Sequence, residues 1–282
     1  MYFPQAGLEL SPLIPVMVGA GFSLIFGQVG LTGSIGTLPF MVSILNFTSP
    51  SVSATNLIYN VLTPFGSVYS YRSEKRALWR LGLIAGAGGI VGSLLGPRIR
   101  VGMLSDIGDF KILFGMLLFA LGLRLAFKKY SEIQVGKIEK TAGTIARHEF
   151  IFSGETYKFK TTHVFFAGML AGTISTTFGI GTGFLLVPFY TTILRLPIYA
   201  VAGSALISTL IISTAGVVSY ATLNSGASAA PDIRLGLLLG LGGILGGLAS
   251  AQIQRRMSSK MLHRFLGAAL IFWSLAYLKQ AF

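Results

Sequence analysis

Thr173-Ile174-Ser175-Thr176-Thr177-Phe178-Gly179-Ile180-Gly181-Thr182-Gly183 lies in the middle of an apolar run, residues 162–194, that holds 33 residues with no Asp, Glu, Lys or Arg. An α-helix rises about 1.5 Å per residue, so about 20 residues cross the hydrocarbon layer of a bilayer. The run is too long for one span. Its centre is the reason: clustered Gly, Ser and Thr favour turns and helix ends over helix interiors. The stretch therefore predicts two helices joined by an unwound segment. A second run, residues 12–45, holds 34 residues and has the same kind of centre, Gly27-Gln28-Val29-Gly30-Leu31-Thr32-Gly33-Ser34-Ile35-Gly36-Thr37.

Two broken segments in one chain prompt a search for internal repeats. An offset of 149 places Pro39 on Pro188 and Ser70-Tyr71 on Ser219-Tyr220. An offset of 154 lays Arg80–Arg100 on Arg234–Gln254, with 11 of 21 positions identical. The chain is thus expected to be a duplication, repeat 1 over residues 10–127 and repeat 2 over residues 162–282. Each repeat has four hydrophobic segments, near 12–45, 54–71, 81–97 and 111–127, then near 162–194, 199–222, 235–252 and 264–281. The polar linker between them, residues 128–161, alternates polar and apolar residues around Ser153-Gly154 and predicts a small extramembrane β-hairpin. Its seven Lys/Arg and four Glu read as a solvated connection, not a catalytic domain.

Composition agrees with an all-α polytopic membrane protein. Of 282 residues, 52% are hydrophobic and 11% charged, against about 25% charged in a typical soluble domain. The net charge of +13 would suggest nucleic acid on a soluble protein. Its distribution excludes that partner, because Leu10–Tyr71 is free of all five charged residue types while the basic residues cluster between segments. Zero cysteines exclude disulfides and thiol chemistry. Met1–Leu10 has no basic stretch and includes Glu9, so a cleavable leader is not expected. The chain is placed in the cell (cytoplasmic) membrane as a multi-pass protein.

Orientation follows from the excess of Lys and Arg on cytoplasmic loops. If both broken segments dip in and return to the same side, the two faces receive 17 and five basic residues. That topology has six crossings and two re-entrant elements, puts both termini outside and the linker in the cytoplasm, and makes the two repeats inverted. With eight plain crossings the split is 14 against eight, and this alternative stays open. Inverted repeats with discontinuous helices are a recurrent architecture of secondary transporters, whose site lies where the breaks meet.

The sequence places no Asp, Glu, Lys or Arg in mid-span, so recognition is expected to use backbone dipoles, hydroxyls and amides. Helix N-termini at membrane depth offer unpartnered N–H groups to an anion. The candidate substrate-binding residues are Gly33, Ser34, Gly36, Thr37 and Asn56 from repeat 1, and Thr176, Thr177, Gly179, Gly181, Thr182, Gly183 and Ser204 from repeat 2. Asn60, four residues after Asn56, completes an amide pair on one helix face. The pairs Gly82/Gly86, Gly88/Gly92, Gly92/Gly96, Gly236/Gly240 and Gly242/Gly246 read as close-packing positions between helices. Gly179–Gly183 is no nucleotide loop, since no Lys-Ser/Thr follows it. His148, His163 and His263 have no ligand spacing; no metal, cofactor or catalytic residue is expected.

Order and duplication of these features suggest a family. The Gly-rich break running into a proline-containing helix (Gly179 to Pro188), Leu196-Pro197 followed by Ala202-Gly203-Ser204, the Arg-Leu-Gly-Leu start of the third segment and its Gly-Gly-Ile-x-Gly run resemble the TauE/SafE permeases. The resemblance covers about 230 residues and omits the linker. It implies export of small sulfur oxyanions or organosulfonates, with sulfite the type substrate. The residues themselves indicate a small inorganic or organic anion, and only the resemblance indicates sulfur. An anion or polar-solute channel and a non-transporting membrane scaffold remain as alternatives, and self-association into a homo-oligomer is left open.

Overall fold

The computed structural model describes residues 1–73, 77–127, 138–223, 229–254, 267–268, 270–272 and 274–279. The Arg255–Arg264 loop and the linker's first ten residues, both used in the charge count, lie outside the described residues. A short strand pair (β1, Tyr2–Phe3; β2, Leu8–Glu9) precedes α1 (Leu13–Phe26). After a single 3-10 turn and an unwound stretch come α2 (Ser34–Pro39), α3 (Ser51–Ser73), α4 (Trp79–Ser93), α5 (Gly96–Gly102) and α6 (Ile107–Phe127). The second half repeats the order with α7 (Thr161–Phe178), α8 (Gly183–Pro188), α9 (Ile198–Thr222) and α10 (Ile233–Gln254). Leu270–Lys279 is helical where described. By length and composition, Trp79–Gly102, Ile198–Thr222 and Ile233–Ser250 are each long and apolar enough to cross a membrane.

The linker contains the expected hairpin, β4 (Arg147–Phe152) against β5 (Glu155–Lys160), and one strand more, β3 (Ile138–Gly143), antiparallel to β4. β3 has only one buried-side position, Ile138, and five exposed ones, so it lacks the alternation that identifies a strand from sequence. Phe150, Phe152 and Phe159 close the sheet onto Leu78 and Leu81 at the start of α4.

Packing follows the small residues, and it crosses between the halves. α1 lies along α10, and α7 lies along α4. Gly242 and Gly246 meet the backbone of α1 at Val16 and Ala20, while Gly88 and Gly92 meet the backbone of α7 at Phe165 and Met169. A Cβ at any of the four would collide with a main-chain oxygen. Close approach of this kind gives dispersion contact where lipid offers no hydrophobic gain between helices. Leu83, Ile90, Phe119, Phe166, Leu170, Leu237, Leu241 and Leu245 stay exposed outside, while Ser23, Thr37, Asn56, Asn60, Ser208 and Thr209 are buried inside. An apolar exterior around a polar interior suits lipid as the solvent.

Asp232, just before α10, ties one end of the bundle together. Its carboxylate accepts from the Gln5 amide (3.0 Å), the Ala6 amide (3.4 Å) and the Leu235 amide (3.0 Å), and its own N–H donates to Thr55 Oγ1 at 2.8 Å. Residues 5–6 and 51–55 therefore share that end, although the whole first broken segment lies between them. In the second half, Ser204 Oγ donates to Leu78 O at 3.1 Å, which puts the start of α9 beside the sheet from which α7 departs.

Candidate functional site

Each broken segment turns on a glycine in the left-handed region, Gly30 at φ 74° and Gly179 at φ 74°. A side chain there would be strained, and the glycine is what allows the chain to leave one helix and double back. Both turns then run into a short helix whose proline, Pro39 or Pro188, cannot donate an N–H. A π turn follows each proline, Phe40–Ile44 and Phe189–Ile193, closed by Leu45 N–H to Phe40 O (3.1 Å) and Leu194 N–H to Phe189 O (3.2 Å). Asn46 and Arg195 end them in the same left-handed conformation, at φ 53° and 54°.

The two breaks touch. Ser34 Oγ accepts the Gly181 N–H at 2.8 Å and lies 2.7 Å from Thr32 Oγ1. A Cβ at Gly181 would collide with Thr32 Oγ1, and one at Gly183 with Gly30 O, so both glycines are needed for the contact. α3 supports it from one side. Asn56 Nδ2 donates to Ser34 O at 3.0 Å, Thr37 Oγ1 donates to Asn56 Oδ1 at 2.6 Å, and Asn60 Nδ2 donates to Gly179 O at 3.1 Å. Asn60 Oδ1 is buried and has no hydrogen-bond partner. α9 supports the other side more sparsely: Thr182 Oγ1 lies 2.8 Å from Thr209 Oγ1, which also donates to Ala205 O at 2.9 Å.

Not every candidate residue faces this centre. Gly33 and Gly36 seat α2 against Phe22 and Ser23 of α1. Thr176 and Thr177 return their hydroxyls to carbonyls of their own helix, Gly172 O and Thr173 O, at 2.8 Å each. Ser204 bonds Leu78 O and Ala200 O on the side of α9 that packs on α4. Tyr71 and Tyr220 are buried, and each hydroxyl donates to a carbonyl just before a break, to Gly27 O at 3.3 Å and Thr176 O at 3.0 Å.

One expectation is corrected. Arg100, which the sequence reading leaves beyond the third segment (near 81–97) among the basic residues between segments, lies inside the Trp79–Gly102 segment and is 0% exposed. Its Nε donates to Ser53 Oγ at 3.3 Å, its Nη1 to Leu104 O, and its guanidinium stacks 4.2 Å from the centre of the Phe110 ring. Gly96-Pro97 ends the apolar run in sequence, yet the chain goes on as helix α5 because proline fits the first turn of a helix. The arginine is carried inward with it.

Outside the membrane segments, a cavity of about 280 Å³ opens between the sheet and the start of α4, lined by Arg80, His148, Glu149 and Phe159 among others. Burial, and then the charge of Arg80, hold the His148 imidazole below its ordinary pKa. Its Nε2 lies 3.1 Å from Thr161 Oγ1 at the first residue of α7.

An apolar exterior, a polar interior and two discontinuous helices that meet inside the bundle are the architecture of a membrane transporter. The family model for the sulfite exporter TauE/SafE matches residues 13–277, and the chain belongs to that family. A probable membrane transporter protein of Xylella fastidiosa (strain 9a5c) is 28% identical over 254 residues, covering 89% of this chain and 88% of its own. The probable membrane transporter protein YunE of Bacillus subtilis (strain 168) is 25% identical over 271 residues, covering 93% and 95%. No solved structure matches.

Proposed function

We propose that the protein is a permease that exports small anions, sulfite or organosulfonates, through a central site built from the two helix breaks. The observation that carries this reading is the Ser34 Oγ to Gly181 N–H bond, 2.8 Å long and joining residues 147 apart. In the closed arrangement the serine oxygen occupies the position on the Gly181 amide that an oxyanion oxygen would take. An entering anion displaces it, accepts the amide N–H, and recruits the Ser34 and Thr32 hydroxyls as donors. Ser34 and Ile35 of α2 and Gly183 and Phe184 of α8 add N–H groups that have no partner in their own helices, whereas the amides after them already donate to Gly33 O and Thr182 O.

The reading includes alternating access by two inverted repeats around that site. The left-handed glycines, the prolines, the π turns, and Tyr71 with Tyr220 all recur at one offset of 149. The shared end of residues 5–6 and 51–55 fits a first segment that dips in and returns, as does the Leu78 contact for the second. Family membership supports the sulfur anions.

Efflux from proteoliposomes against sulfite, thiosulfate, sulfate, sulfoacetate and nitrite, with and without a pH gradient, tests the proposal. Saturable flux of sulfite or sulfoacetate is expected. Currents far above transporter turnover would indicate a channel, and no flux of any anion would indicate a scaffold; either result ends the permease reading. Single-cysteine labelling on this cysteine-free chain should place residues 128–161 and 255–264 on one face. Labelling from opposite faces would overturn the inverted topology.

A further inference from the structure

We propose that Arg100 recognises the anion on its way between the helix breaks and the end of the bundle that holds the N-terminus. This rests on the permease reading above and supplies the positive charge that the breaks themselves lack.

The first argument is the unmet demand of the side chain. A guanidinium is always charged and carries five N–H donors in a planar fork. Nε and Nη1 have acceptors and Phe110 covers one face, but Nη2 is buried with no hydrogen-bond partner. Among the described residues no carboxylate lies within ion-pair distance of it. At the same end of the bundle Asp232 is committed to backbone amides, and Asp106 Oδ1 accepts from Gly108 and Asp109. A buried cation without a counter-ion is strongly unfavourable unless something anionic completes it. A purely structural arginine closing the end of α5 needs only the Leu104 carbonyl and the Phe110 face, which leaves the Nη2 edge unexplained.

The second argument is position. Ser53, which takes the Nε bond, has its backbone packed against Gly179, the turning residue of the second break. Thr177 Oγ1 reaches Gly96 O at 3.3 Å, which ties the start of α5 to the last turn of α7. Arg100 is thus one residue, Ser53, away from the turn of the second break. Its counterpart at an offset of 154 is Gln254, so the cation is present on one side of the pseudo-symmetric pair only. An oxyanion with two or three equivalent oxygens suits the fork geometry of the free edge. In the conformation described, Nη2 is sealed. The anion reaches it when the contact of α5 with the last turn of α7 loosens.

The experiment compares wild type, Arg100→Gln, Arg100→Lys and the exposed control Arg98→Gln in proteoliposomes carrying sulfite. The expected result is a rise in KM of about tenfold for Arg100→Gln, the size of one charge-assisted hydrogen bond, and a smaller rise for Arg100→Lys. Arg98→Gln should match wild type. Wild-type KM in both Arg100 variants would overturn the inference while leaving the permease intact. Absence of anion flux in wild type itself would instead overturn the permease reading. Because Arg100→Gln could fail to fold, the wild type supplies a second measurement. Phenylglyoxal modification of Arg100, read by mass spectrometry, should slow in the presence of sulfoacetate. Modification unaffected by sulfoacetate, or absent throughout, counts against the inference.

Discussion

The two breaks share a backbone and differ in chemistry. Gly30 and Gly179 have the same φ, the prolines and π turns recur, and both tyrosines reach back to the preceding helix. Side chains tell the halves apart. Thr32 and Ser34 stand where the second break has Gly181 and Gly183, and Asn56 and Asn60 stand where α9 has Ala205 and Thr209. The first break presents hydroxyls and amides, and the second presents bare main chain for them to touch. The two backbones agree because turning back inside a membrane has few solutions.

Collapsing the second break should have the largest effect. Gly181→Leu puts a branched side chain on Thr32 and beside Asn60 Oδ1, and should abolish efflux while the protein still inserts in the membrane; wild-type rates would remove the breaks from the transport path. Making the first break resemble the second is the next step down. Ser34→Gly leaves the buried Gly181 amide without its acceptor, about 1–3 kcal/mol by the usual cost of an orphaned group, and efflux should fall by more than tenfold. If flux is unchanged, Ser34 is only a staple.

Asn60→Thr copies the residue that α9 has at the equivalent position. It removes the bond to Gly179 O and the unpartnered Oδ1, so a severalfold change in sulfite KM is expected, with Thr209→Asn changing it less. Tyr71→Phe and Tyr220→Phe each delete one hydroxyl bond and should lower thermal stability alike, by about 0.5–1.5 kcal/mol. A large difference between the two would show that the halves are not mechanically equivalent.

The smallest effect concerns the linker sheet, which lies between the two halves and belongs to neither. Because the folded state holds His148 below its ordinary pKa, the unfolded chain binds the proton first as pH falls below about 6.5. Stability of the sheet should therefore be full above that pH and decline below it, until the folded state is protonated as well. His148→Gln should flatten this slope in a pH series of thermal denaturation.

Much of this was legible in the sequence, for identifiable reasons. Excess length and clustered glycines betray a helix break because both follow from local chain properties, and the 149 offset relates the two breaks in the sequence alone. Gly88, Gly92, Gly242 and Gly246 were read as packing positions, and they are where helices touch. What stayed hidden is tertiary. That Ser204 faces α4 depends on the rotation of α9, which an almost uniformly apolar helix does not encode in its pattern. Arg100 was misplaced because a charge after Gly-Pro resembles the end of a span, whereas its burial is set by Ser53, Leu104 and Phe110 from other elements. β3 has too few apolar positions to announce itself.

The crossed packing has a consequence for how the molecule is made. α1 is completed by α10, and α4 by α7, so each half holds the missing wall of the other. Gly88 and Gly92 find their partner, α7, only in the half that is synthesised later. A chain stopped after the linker would be half a lock. Among the described residues α10 is the last long helix in the chain, so the wall that α1 lacks is supplied only after the second half has been made.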